Sequence, residues 1–108
     1  MSKPMKLRCT VSTDHESPWM FRVNATMFDG TPLSFKTERH NVDLSDPITE
    51  ENPTVGGYVH VTHVAQQGSV VYITLPSPSL EFGKNVNVHE DVLMPVGVTI
   101  ENFKTRTV

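Results

Sequence analysis

The sequence predicts an all-β chain, a small antiparallel barrel or sandwich of about six or seven short strands with one short helix near 46–51. Three observations carry this. Apolar and polar residues alternate with period two through most of the chain, as in half-buried strands. Turn signals interrupt the runs at Asp29-Gly30, Gln67-Gly68-Ser69, Pro76-Ser77-Pro78-Ser79 and Gly83-Lys84-Asn85. Val, Thr, Pro, Ser and Asn are frequent while Ala and Leu are scarce, a balance that favours strands and turns. The 108 residues fit one domain, 1–108.

The first strand is expected over Lys6–Ser12, where Leu7, Cys9 and Val11 alternate with polar neighbours. The second runs over Trp19–Phe28 and the third over Leu33–Glu38. Face segregation there prefers an odd loop, Asp29-Gly30-Thr31, pairing Met27 with Leu33 and Ala25 with Phe35. Pro32 suggests a strand end or sheet edge. In the irregular stretch 39–55, Asp46 is placed to cap a short helix with Pro47 as its first residue, and Asn52-Pro53 stops it. The stretch GGYVHVTHVAQQGSVVYITL supplies two strands, Gly57–Ala65 and Val70–Leu75, joined by the loop Gln67-Gly68-Ser69. That loop pairs Val61 with Leu75, His63 with Ile73, Ala65 with Val71, Thr62 with Thr74 and Val64 with Tyr72. Two more short strands are expected, one at Val86 and Val88 and one at Val96, Val98 and Ile100. No internal repeat, heptad or low-complexity tract is read from the sequence.

The most chemical-looking feature is His60-x-x-His63. On a helix this spacing would converge. On a strand, residues three apart point to opposite faces, so the two rings are separated. His63 falls on the apolar face with Val59, Val61 and Ala65, and His60 on the wetter face with Tyr58 and Thr62. Neither Asp14-His15-Glu16 nor His89-Glu90-Asp91 has the spacing of a zinc module or a calcium loop, so no metal is expected. Cys9 lies on the apolar side of its strand and reads as a small hydrophobe. No nucleophile elbow, phosphate loop or dinucleotide fingerprint is present. No catalytic set and no cofactor are therefore expected.

The net charge is −3, with no basic surplus of the kind a general phosphate binder carries. The amino terminus lacks the apolar run of a signal peptide, and no segment reaches the length of a membrane span. A lone cysteine excludes a disulfide framework. Five strands with a short helix after the third also describe an OB-fold barrel, which stacks single-stranded nucleic acid on aromatics in a basic groove. This chain has the aromatics without the basic groove, so nucleic acid is the secondary reading. The acidic segment with Glu38, Asp43, Asp46, Glu50 and Glu51 supports a third, a small inhibitor docking on a host protein.

The run His89-Glu90-Asp91-Val92-Leu93-Met94-Pro95 resembles a short segment near the carboxy end of lambdoid phage head-decoration proteins. There a Glu-Asp-Val-Leu-aromatic-Pro run is followed by a brief tail, and here Met94 stands at the aromatic position. The resemblance implies a small capsid-stabilising β protein located in the virion or the host cytoplasm. It would act without chemistry, through contacts with itself or with capsid subunits. The expected function is thus a non-enzymatic structural or interaction protein, a homo-oligomer without membrane contact. The residues placed for partner contact are Trp19, Tyr58, His60, Glu50 and Glu51.

Overall fold

The alternating runs form strands where the pattern places them, and most extend further than the pattern alone indicates. The computed structural model of the chain describes residues 3–96. Its strands are β1 (Lys3–Thr13), β2 (Met20–Thr26), β3 (Pro32–Glu38), β4 (Val42–Leu44), β5 (Thr54–Gln67), β6 (Val70–Ser79), β7 (Gly83–His89) and β8 (Leu93–Pro95). All pairings are antiparallel, in one curled sheet of order β3-β2-β1-β5-β6-β7, with β4 added to β5 and β8 to β1. The strand expected from Val96 onward lies outside the described residues beyond Val96 itself.

The curl brings the ends of the sheet together. The Ser77 hydroxyl of β6 donates to Thr37 Oγ1 of β3 at 3.1 Å, and Phe28 N–H donates to the Asn87 carbonyl of β7 at 3.0 Å. The concave side is packed with Leu7, Val11, Val23, Leu33, Val59, Val71, Ile73, Leu75 and Val88, all essentially inaccessible. These are mainly β-branched or γ-branched side chains, which pack well on a pleated surface.

The pairing pattern occurs twice. A long strand (β1 or β5) is followed by a hairpin (β2–β3 or β6–β7), a 3₁₀ turn (Arg39–Asn41 or Glu90–Val92) and a three-residue strand (β4 or β8). Val23 faces Phe35 in the first half as Ile73 faces Val86 in the second. Phe21 faces Thr37 as Val71 faces Val88. The short strands are exchanged: β4 pairs with β5, and β8 with β1. Each half thus completes the sheet of the other.

Four expectations are corrected. Residues 46–51 are not helical. Ser45 N–H donates to the Gly56 carbonyl at 3.0 Å, prolonging the β4·β5 ladder and holding the chain extended past the cap position. Thr49 and Asn52 then exchange backbone hydrogen bonds at 3.2 Å in both directions, a tight turn with Glu50 and Glu51 at its tip. Ile48 packs on the core instead of riding a helix. Among the described residues the only helical turns are the two 3₁₀ turns.

The β2·β3 register is displaced along the ladder. Ala25 pairs with Leu33 and Val23 with Phe35, so the faces stay segregated while the loop lengthens to Met27–Thr31. Gly30 sits at φ +89°, Met27 N–H donates to the Thr31 carbonyl at 2.9 Å, and Thr31 N–H donates to Asp29 Oδ1 at 3.0 Å. Together with the Phe28–Asn87 bond, these contacts favour the longer loop.

In the β5·β6 hairpin Thr62–Thr74 and His63–Ile73 pair as expected. A bulge at Val64 then moves Ala65 opposite Tyr72 and Gln66 opposite Val71. This shortens the turn to Gly68-Ser69, with Gly68 at φ +63° as two-residue hairpins favour. The strands β4 and β8 are additional to those read from the sequence, being too short to show an alternation.

Candidate functional site

Period two on β5 turns Val55, Gly57, Val59 and Val61 inward and leaves Tyr58 and His60 on the convex face. On β1 the same rule buries Leu7, Cys9 and Val11 and turns Lys6 and Arg8 outward. Register places Lys6 opposite His60, Arg8 opposite Tyr58, and Asp43 of β4 opposite Tyr58 from the other side. Lys6 Nζ lies 2.9 Å and His60 Nε2 3.0 Å from the same oxygen, Asp43 Oδ2. Partial burial raises the Asp43 pKa, but hydrogen bonding and charge from Lys6 and His60 outweigh it and hold the carboxyl below its ordinary value.

The chain's lone thiol does not join this cluster. The Cys9 thiol points to the core, and burial pushes its pKa up to about 12 against a small lowering from a backbone contact with Val59. His63 is half-buried, with Nε2 3.4 Å from Gln66 Oε1 and Nδ1 buried without a partner. The two histidines therefore sit on opposite faces. Among the described residues no group of three His, Cys, Asp or Glu could hold a metal ion.

The five residues placed for partner contact are dispersed. Tyr58 and His60 share the convex face of β5, and Tyr58 lines a shallow groove of about 430 Å³ with Arg8, Thr10 and Asn24. Trp19 is 64% exposed on the β1–β2 connection. That connection is clamped by Arg39, whose Nε and Nη2 donate to the Pro18 carbonyl at 3.0 and 2.7 Å while its guanidinium lies 4.5 Å over the Phe21 ring. Glu50 and Glu51 stand on the β4–β5 turn. Of the remaining acidic segment, Asp43 is held by Lys6 and Glu38 Oε2 lies 3.4 Å from His40.

A further surface was not singled out from the sequence. The bulge turns Val64 out of the ladder, next to Tyr72 of β6, Phe82 of the β6–β7 turn and Met27. Together they line an open groove of about 410 Å³. Val64 is 49% exposed, Tyr72 41% and Phe82 36%, and no charged side chain belongs to the lining among the described residues. Beside it Phe28 stacks on His89, with ring centroids 5.6 Å apart and planes within 5°. The signal was present in the alternation: Val64 and Tyr72 are large apolar residues on the face that Thr62 and Thr74 mark as wet.

The fold and this surface define an all-β protein of two interlocked halves bearing an exposed, uncharged aromatic groove. Comparison with protein-family models, with curated proteins and with solved structures gives no match. No helix among the described residues is long and apolar enough to cross a membrane.

Proposed function

We propose that the protein is a non-enzymatic assembly protein that associates with a second copy of itself through the Val64–Tyr72–Phe82 groove. The observation that carries this reading is the exposed, neutral, aromatic character of that groove. Contiguous apolar patches of this kind mark interaction sites, and Tyr contributes disproportionately to interface energy. The choice of a second copy rests on charge. A chain of net charge −3 meets its like at least cost where no charged group lies, and a two-fold contact through an uncharged patch sets no like charges against each other. The same neutrality disfavours the nucleic-acid reading, because among the described residues no cation lines the aromatic groove to meet a phosphate.

The narrower role we put forward is that of a small phage virion component, a capsid-decoration or similar protein. It rests on the resemblance at His89–Pro95. Here that segment supplies a 3₁₀ turn, started by Asp91 N–H donating to His89 Nδ1 at 3.1 Å, and then β8, which pairs with β1. Mass spectrometry of purified virions tests this role; absence of the chain removes it. Self-association is tested by backbone NMR over a dilution series. Shifts that depend on concentration should cluster at Val64, Tyr72 and Phe82, and a spectrum independent of concentration contradicts the reading.

A further inference from the structure

The turn between β6 and β7 forms one wall of the neutral groove. Pro76 and Pro78 stiffen the strand that leads into it. Leu75 and Ser79, both buried, anchor that strand in the interior. The Ser79 hydroxyl then ties the turn together: it accepts from Phe82 N–H at 3.0 Å and donates to the Gly83 carbonyl at 3.1 Å. Gly83, at φ +68°, leads the chain back into β7.

This fixed turn holds an apolar side chain in water. Leu80 is fully exposed, more so than any other large hydrophobic among the described residues. Phe82, two residues on, is half-buried and lines the neutral groove. The turn is thus a ridge with an apolar crest beside an apolar groove. It carries one acid and one base, Glu81 and Lys84, both exposed. Neither has an ion-pair partner among the described residues. Two such ridges meeting about a two-fold axis bring each crest to the other copy's groove and each Glu81 to the other copy's Lys84. The ridge adds no net charge to the contact, so like chains meet there without repulsion. A turn already held by its own hydrogen bonds loses little freedom on docking.

We propose that the β6–β7 turns of two copies of the chain pack against each other across a two-fold axis. Leu80 of each copy is seated in the neutral groove of the other, and Glu81 of each faces Lys84 of the other. This rests on the self-association reading and goes beyond it by naming the element that fills the groove and the charges that orient the contact.

The test is analytical ultracentrifugation of the full chain at low salt as wild type, Leu80→Ser, Glu81→Lys, Lys84→Glu and an equal mixture of the last two. Leu80→Ser should weaken self-association roughly tenfold or more while leaving the urea midpoint of unfolding unchanged. Glu81→Lys and Lys84→Glu each set like charges together across the axis and should each weaken it by roughly tenfold or more. Their mixture should associate at least as tightly as the wild type, because each ridge then meets one of opposite charge. Added salt should remove that recovery. Variants that all associate as the wild type does overturn the proposal, as does a mixture as weak as its components. In either case, if Val64→Lys still abolishes association, the groove reading stands and the turn alone is excluded. A wild type that does not associate overturns both.

Discussion

Leu7 and Val59 pair across the β1·β5 ladder, and each also pairs with a strand contributed by the opposite half of the chain. Leu7 faces Leu93 of β8, and Val59 faces Val42 of β4. The result is a row Val42–Val59–Leu7–Leu93 across four strands, all buried and symmetric about its middle pair. The duplicated pattern turns about this point, and here the two halves lock together. Substitution at Leu7 or Val59 acts on both halves at once. Leu7→Ala should cost about 2–5 kcal/mol of unfolding free energy, the range for emptying a well-packed core site. Urea unfolding measures it, and a loss below about 1 kcal/mol would be inconsistent with a shared centre.

Gly57 lies one residue along β5 from Tyr58, wedged between β1 and β4. A Cβ there would stand 2.6 Å from the Asp43 carbonyl oxygen and 3.2 Å from Val11 Cγ2. The close neighbour is backbone and cannot swing away. Gly57→Ala should therefore destabilise by about 1–3 kcal/mol through displacement of β4. An unchanged urea midpoint would show that β4 is not held as closely as described.

The Cys9 thiol, buried and with its pKa pushed up to about 12, should be inert to thiol reagents at pH 8 while the protein is folded. It should react fully once the chain is unfolded in denaturant. Rapid stoichiometric labelling of the native protein would contradict its placement.

The Asp14 carboxyl is held below its ordinary 3.8: burial raises its pKa, but the contacts with Lys36 and Arg22 outweigh that and lower it. A carboxyl with a lowered folded-state pKa contributes stability that is present above the unfolded value and is lost as the pH falls through the folded value. Asp14→Asn should accordingly be less stable than wild type at neutral pH. The difference should shrink as the pH drops below 3.8. Thermal unfolding of both proteins across that range measures it, and a gap that stays constant or widens in acid would contradict the assignment.

His60 gives the contrasting case. Its contact with Asp43 is half-exposed and shared with Lys6, so His60→Ala should change stability by no more than about 1 kcal/mol. A larger loss in the same urea assay would mean that the cluster is structural.

Much of this architecture was legible in the alternation of residues. β1, β2, β5 and β6 follow from period two, and the opposite placement of His60 and His63 follows from it directly. The tight turn at Glu50 and Glu51 was not legible, because Asp46-Pro47 is a sound local helix start and the ladder bond from Ser45 to Gly56 is tertiary. The bulge at Val64 escaped for a related reason: one extra residue leaves the composition of the hairpin unchanged while moving Ala65, expected beside Val71, opposite Tyr72. The duplication was hidden because corresponding positions share burial rather than identity. Phe21 answers Val71, Phe35 answers Val86, and the hydroxyl-bearing Thr37 answers Val88. Of the five residues placed for partner contact, Tyr58 and His60 share the convex face of β5, Glu50 and Glu51 share one turn, and Trp19 stands on the β1–β2 connection. The neutral groove is built mainly from the consecutive strands β5, β6 and β7, and only Met27 reaches it from a distant part of the sequence.

Sedimentation equilibrium of the wild type and Val64→Lys decides whether the neutral groove joins two copies of the chain. Val64 is 49% exposed at a bulge, so lysine is accommodated there without disturbing the core. Across a two-fold contact it sets like charges against each other in a desolvated patch. The wild type should show the mass of a dimer or higher multiple at raised concentration, and Val64→Lys that of a monomer under the same conditions. A wild type that remains monomeric throughout, or a variant that associates as the wild type does, contradicts the contact.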